Sequence, residues 1–269
     1  MRLFTFSLRG DPDQRLDCAP LVPHRLAGLS APEIARIPLN TTRQKITAGD
    51  VFRIRAGDLA AIRFEGGSER LDNIAEGLAA GAIDIEGPVG KAAGRNMSGG
   101  RLTIDGDAGP FAGSGLSGGR IEITGNAGDL LAGPFPGEMQ GMRGGLIVVR
   151  GSVGDRAGDR MRRGIIVIEK AAGDYPASRM IAGTLIVLRT TGRLPGYLMR
   201  RGTLLLGQAP SLSPTFLPCG AFEFGFTRLF AERLKPDSRV AARLLGGSFE
   251  RYAGDMAVLG KGEVLVAAS

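Results

Sequence analysis

"GGRLTIDGDAG" (residues 99–109) is followed 19 positions later by "GGRIEITGNAG" (118–128). A glycine-punctuated phrase of this kind is either a phosphate-cradling loop or one unit of a repeat. The glycine positions decide the matter. Gly81, Gly100 and Gly119 are 19 residues apart, and so are Gly145, Gly164, Gly183 and Gly202. The interval between the two sets is 26, one unit plus seven residues inserted within "DLLAGPFPGEMQGM" (129–142). Gly87, Gly106, Gly125 and Gly151 recur six positions into the units; Gly90, Gly109, Gly128, Gly154, Gly173 and Gly192 recur nine positions in. Three positions before each unit stand Leu78, Met97, Leu116, Met142, Met161, Met180 and Met199. A nucleotide loop has no reason to recur in one register along the chain, whereas a solenoid does.

Each unit opens with a short alternating strand. Its inward positions are Ile83/Ile85, Leu102/Ile104, Ile121/Ile123, Ile147/Val149, Ile166/Ile168, Leu185/Val187 and Leu204/Leu206. Period-two alternation gives each strand one core face, and no unit can bury that face alone. Nineteen residues are too few for a helix pair of ~34. They fit one coil of a parallel β-helix, advancing ~4.8 Å per coil. The Met/Leu column shares the register, so it reads as a ladder inside the solenoid, with Met filling irregular space. "LAAIRFEGGSERLDNIAEGL" (59–78) reads as a degenerate first coil, with Phe64 in the place of Ile85.

These patterns predict an all-β chain: a right-handed parallel β-helix over residues 59–207, an irregular N-terminal cap over 1–58 and a C-terminal cap over 208–269. The N-terminal cap is expected to hold a strand at Leu3–Leu8 and a short helix starting from Ser30. In the C-terminal cap, "APSLSPTFLPCG" reads as an extended linker, 221–235 as a strand entering a helix, and 251–267 as a turn and strand.

The outward positions change along the solenoid. Three residues after the first glycine, the early coils carry Asp84, Thr103 and Glu122, and the later ones Val148, Val167, Ile186 and Leu205. An apolar stripe four coils long is not left in water, so these four are predicted to lie at an interface, under the C-terminal cap or under another protein. Charge divides at the same place. Residues 81–140 hold four Arg/Lys against seven Asp/Glu, a net of −3; residues 141–205 hold twelve against four, a net of +8. Arg143, Arg162 and Arg200 share one offset, interrupted by Ile181, with Arg163 and Arg201 beside them. Such a column is either a solvated face paired with Glu169, Asp155, Asp159 and Asp174 or a binding edge for an anionic partner.

The bulk properties narrow the classes further. The 43 glycines among 269 residues, against a usual ~7%, have no three-residue period. The net charge of +7 comes from an arginine excess over only five lysines. Cys18 and Cys219 have no metal-ligand spacing and read as free thiols. There is no apolar run of 18 residues and no apolar signal core, which predicts a cytoplasmic protein without a membrane segment. The single histidine, His24, lies in the irregular N-terminal region and reads as structural. No Ser/His/Asp set, no metal-binding cluster and no Walker loop is present; "GKAAG" (90–94) and "GKGEV" (260–264) lack the Ser/Thr. Phe111, Phe135, Tyr175 and Tyr197 read as scattered, without the basic-aromatic interleaving of a nucleic-acid surface.

The phrase Gly-x-Ile-x-Ile-x-Gly-x-x-Gly-x-x-x-Gly-x-x-Met resembles the GXGXG-type β-helix, found in the C-terminal domain of the large glutamate synthase subunit. It is also found in the C subunit of formylmethanofuran dehydrogenase and of its methylotroph relative, the formyltransferase/hydrolase complex. "MIAGTLIVLRTTGRLPGYLMRRGTLLL" (180–206), "PTFLPCG" (214–220) and "RYAGDMAVLGKGEVLV" (251–266) are similar to the closing phrases of that C subunit. The resemblance implies a non-catalytic scaffold in a complex that moves a formyl group from tetrahydromethanopterin to methylofuran and releases formate. It implies amidohydrolase-like, formyltransferase and molybdopterin-enzyme-like neighbours, and a methylofuran or methanofuran carrier with a polyglutamate tail. The arginine excess fits a GC-rich bacterium and so the methylotroph complex. The alternatives are the C subunit of the molybdenum or tungsten dehydrogenase, a free-standing glutamate-synthase-type domain, and a self-contained enzyme with a cleft between solenoid and caps.

Overall fold

The computed structural model describes residues 3–268. The N-terminal segment contributes β1 (Leu3–Leu8), β2 (Leu16–Asp17), α1 (Pro23–Leu26), α2 (Ala31–Ala35), α3 (Ala48–Val51) and β3 (Phe52–Arg55). The coils follow as β4 (Asp58–Glu65), β5 (Leu71–Asp72), β6 (Ala82–Glu86), β7 (Arg101–Asp105) and β8 (Arg120–Ile123). After the insertion come β9 (Arg143–Val149), β10 (Arg163–Ile168), β11 (Thr184–Val187) and β12 (Arg201–Leu206). The chain closes with β13 (Leu217–Phe222), α4 (Gly225–Leu234), α5 (Arg239–Leu245), β14 (Phe249–Gly254) and β15 (Lys261–Ala267).

The repeat reads out as a solenoid. From β4 to β12 successive strands of the main sheet pair in parallel, in the register the glycines set: Ile83 opposite Leu102, Leu102 opposite Ile121, Ile121 opposite Ile147. Three walls make each coil. The first is this strand sheet. The second is a ladder of single parallel bridges running Ser68–Val89–Ala108–Ala127–Val153–Ala172–Thr191. The third is a turn face tied from coil to coil by backbone bonds such as Arg156 N–H to Asp174 O at 2.8 Å and Arg160 N–H to Ser178 O at 3.0 Å. Side chains reinforce the second corner: Asp129, Asp155 and Asp174 each accept the amide of the same position one coil on, at 2.7–2.8 Å.

Glycine is required where coils close on one another. Gly119 has φ +82°, and a Cβ there would meet Gly99 O at 2.5 Å. The space so gained lets the inward residues stack. Leu78, Met97, Leu116, Met142, Met161, Met180 and Met199 are all fully buried, so the Met/Leu column is an internal ladder.

Both ends are closed by antiparallel pairing. The sheet has thirteen strands, ordered β13-β14-β15-β12-β11-β10-β9-β8-β7-β6-β4-β1-β3. β1 lies parallel to β4, with Phe6 opposite Phe64, and antiparallel to β3. Phe6 and Phe64 stack at 4.9 Å, and Phe52 meets both edge-on at 5.6 Å, plugging the first coil with rings. Ser30 caps α2 in a box with Glu33, which accepts from the Ser30 amide at 2.8 Å and hydroxyl at 2.6 Å. At the other end β15 continues the parallel run beside β12, and β14 and β13 fold back antiparallel. The tail expected as one turn and strand is therefore a hairpin, the expected linker ends in β13 from Leu217, and α5 is an additional helix.

The apolar stripe is internal. Val148, Val167, Ile186 and Leu205 are fully buried in a second core with Leu265, Ala231, Leu234, Ala241, Leu245 and Phe249. The chain's own α4 and α5 lie over the later coils, so these four residues present no surface to a neighbouring protein.

Candidate functional site

The turn that leads into each strand positions the arginine edge. Arg143, Arg162, Arg163, Arg200 and Arg201 are all exposed. Arg143 and Arg163 open β9 and β10 and stand opposite one another in the ladder; Arg201 stands opposite Lys261. Adjacent coils put the backbones that carry these charges ~5 Å apart, so neighbouring guanidinium groups repel one another. The break at Ile181 doubles the spacing to ~10 Å, about one Debye length at physiological salt.

The carboxylates expected as partners serve other groups. Glu169 accepts from Arg150 and from the Ser238 hydroxyl at 2.6 Å. Asp159, buried, holds Arg179 and accepts from Ser178 at 2.7 Å. Asp174 pairs with Arg193 at 2.6 Å, and Asp155 accepts the Asp174 amide at 2.7 Å. Among the described residues none of the five edge arginines has a carboxylate within ion-pair distance. Arg143 has one contact of its own, a weak donation to Gly115 O at 3.4 Å.

The structure adds residues that the offsets did not mark. Arg160 and Arg179 occupy a shared position four residues before a repeat glycine, at left-handed corners with φ of 50° and 53°. Arg160, Arg179, Ile181 and Arg200 line a hollow of about 260 Å³ together with Met139, which projects from the insertion. Met139 also borders a second hollow of about 290 Å³ beside Arg143 and Glu138. The insertion is thus not a passive bulge: it overhangs the arginine edge.

The aromatics are not scattered. Phe111 and Tyr175 hold the same left-handed position in their coils, with φ of 63° and 60°. Phe111 meets Phe135 edge-on at 5.3 Å, and Tyr175 meets Tyr197 at 5.9 Å. Arg95 lies 4.1 Å over the Phe135 ring, and Arg156 lies 5.8 Å over Tyr175. The turn face is therefore stiffened by two ring pairs, one of which reaches into the insertion through Phe135.

Electrostatics join the later coils to their cover. Arg150 donates to Glu122 at 2.6 Å, to Glu169 and to the Asp237 carbonyl at 2.8 Å. Burial pushes the Glu122 carboxyl up, but hydrogen bonds from Arg150 and Arg120, with their charges, outweigh it and hold it below the usual range. Burial, followed by the charges of Asp17 and Asp72, pushes the Cys18 thiol far above its usual value. Cys219 is exposed. His24 is exposed on α1. Among the described residues no group of three His, Cys, Asp or Glu is arranged to hold a metal ion, and no helix is long and apolar enough to cross a membrane.

A stack of glycine-cornered coils with this register defines a GXGXG-type β-helix, and the family model described as GXGXG motif matches residues 59–209. The C subunit of the formyltransferase/hydrolase complex Fhc of Methylorubrum extorquens is 46% identical, over 98% of this chain and 99% of that protein. A chain in the crystal structure of the FhcABCD complex of the same organism, solved with methylofuran, superposes with a TM-score of 0.94. It is 45% identical, and the match covers 98% of this chain and all of that one. The chain belongs to the family of formyltransferase/hydrolase complex C subunits. The resemblance drawn from the closing coils and C-terminal phrases is borne out over nearly the whole length.

Proposed function

We propose that this chain is the structural, non-catalytic subunit of a formyltransferase/hydrolase complex, which moves a formyl group from tetrahydromethanopterin to methylofuran and releases formate. The observation that carries this reading is the end-to-end match to the C subunit of such a complex at 46% identity. A rigid solenoid with an internal Met ladder and two closed ends suits a scaffold, because it fixes the relative positions of whatever docks along it. Its neighbours are then the amidohydrolase-like, formyltransferase and molybdopterin-enzyme-like subunits of a cytoplasmic assembly.

Within that role Arg143, Arg162, Arg163, Arg200 and Arg201 face an anionic partner, either an acidic subunit or the polyglutamate tail of the carrier. Their chemistry fits carboxylates: guanidinium groups bind them in a two-point fork and stay charged at any working pH. Exposed arginines without internal carboxylates support this. Replacing Arg143, Arg162 and Arg200 with Gln tests it. The reading expects weaker assembly or weaker carrier retention, and unchanged complex mass with unchanged carrier content contradicts it.

The scaffold reading is tested by assaying formyl transfer and formate release with the purified single chain and with the chain co-expressed with its partner subunits. Activity is expected in the assembly alone. Turnover by the isolated chain overturns the reading.

A further inference from the structure

We propose that the inserted loop, residues 134–140, and the arginines beside it form one docking surface for a neighbouring subunit. That subunit would present carboxylates around an apolar socket that receives Met139. The inference rests on the complex-subunit reading above and commits the central part of the arginine edge to a protein partner.

Three observations carry it. The first is that the loop is held in place from within. Glu138 accepts from Arg95 at 2.7 Å, the same guanidinium lies 4.1 Å over Phe135, and Phe135 packs on Phe111 at 5.3 Å. The Glu138 amide also closes a turn on Phe135 O at 2.8 Å. A loop fixed this way loses little freedom on binding, which is what makes a docking element effective.

The second is what the loop displays. Met139 is 74% exposed, although it sits between two hollows of about 290 and 260 Å³ that it could have filled. A lone exposed apolar side chain is ordinary. This one stands at the tip of an anchored insertion, and a flexible thioether adapts to an uneven socket.

The third is the charge around it. Arg143 borders one hollow and Arg160 and Arg200 the other, and none has a carboxylate partner among the described residues. Arg160 has its contact with Met139 itself, Nη to Sδ at 3.9 Å. An apolar knob ringed by uncompensated cations is complementary to an apolar socket ringed by carboxylates. The apolar contact would hold the complex together, and the charges would steer encounter and fix orientation.

The test is co-expression of the full chain with its partner subunits, with assembly read by native mass spectrometry at several salt concentrations. Met139→Glu is expected to lower the assembled fraction at least ~10-fold, because it places a charge in an apolar socket. Met139→Leu is expected to assemble as the wild type does. Arg143→Gln with Arg160→Gln is expected to weaken assembly and to flatten its salt dependence. The exposure of these side chains predicts unchanged melting temperatures for the isolated variants, so lost assembly reports docking. Assembly of Met139→Glu at the wild-type level overturns the proposal. So does a double arginine variant that assembles normally but loses carrier, or a dimer of the isolated chain that depends on Met139. If the wild-type chain fails to assemble with these subunits, the complex-subunit reading itself fails, which is a separate outcome.

Discussion

Ser238 donates its hydroxyl to Glu169 at 2.6 Å and accepts the Ala241 amide at 3.1 Å. One side chain therefore caps α5 and ties that cap to the solenoid. Beside it Arg150 reaches the Asp237 carbonyl at 2.8 Å. Ser238→Ala removes both bonds and leaves the buried Ala241 amide without a partner, while Glu169 keeps its bond from Arg150. We expect a loss of about 1–2 kcal/mol of stability. Thermal melting measures it, and limited proteolysis should show cleavage within 225–245 before the coils are cut.

The cover over the stripe depends on apolar packing as well. Ile186 is fully buried between the strand wall and the two C-terminal helices. Ile186→Ala should cost ~2–5 kcal/mol, the range for truncating a buried aliphatic side chain. Denaturant unfolding tests this, and a cost within error of zero would show that the helices do not lie on the stripe in solution.

The pH response of the same region follows from Glu122. Its carboxyl is held below the usual range in the folded chain, so the unfolded state takes up a proton first as pH falls. The contribution is fully present above the unfolded value of about 4.3 and is lost as pH drops through the lower folded one. Melting temperature should therefore fall on acidification below about pH 5. Glu122→Gln should melt lower at neutral pH and show a shallower acid slope. An acid slope identical to wild type would mean that the Arg120–Glu122–Arg150 network does not form.

The two thiols should behave oppositely. Cys219 is exposed on β13, whereas Cys18 is fully buried and its thiol is held protonated. A neutral-pH alkylating reagent should add one label rapidly at Cys219, and a second at Cys18 after unfolding, both read by mass spectrometry. Labelling of Cys18 at the rate of Cys219 would place the first coil's cap open.

What the sequence made readable, and what it did not, divides along the repeat. Strand register, the Met ladder and the change of the outer wall at Val148 all rest on side chains that recur at one offset, so their neighbours in space are named by counting. The owner of the cover over Val148, Val167, Ile186 and Leu205 was not readable. An apolar stripe states that something must bury it without saying what, and "RVAARLL" (239–245) is too short to announce α5. Arg160 and Arg179 are not legible in the repeat because their shared offset falls at left-handed corners, where glycine rather than arginine is the expected residue. Met139 is not legible either, because the insertion breaks the register and leaves it without a counterpart in any other coil. The pairing of Phe111 with Phe135 was hidden for the same reason. The features nearest the candidate site are those for which the repeat supplies no template.

In the role proposed for it, this chain positions other subunits and performs no chemistry itself. The most direct test is single-turnover formyl transfer and formate release, measured on the isolated chain and on the assembly reconstituted with and without it. No turnover by the isolated chain is expected, and in its absence the partner subunits should no longer remain together. Turnover by the isolated chain, or a fully active and intact assembly formed without it, would overturn the scaffold role.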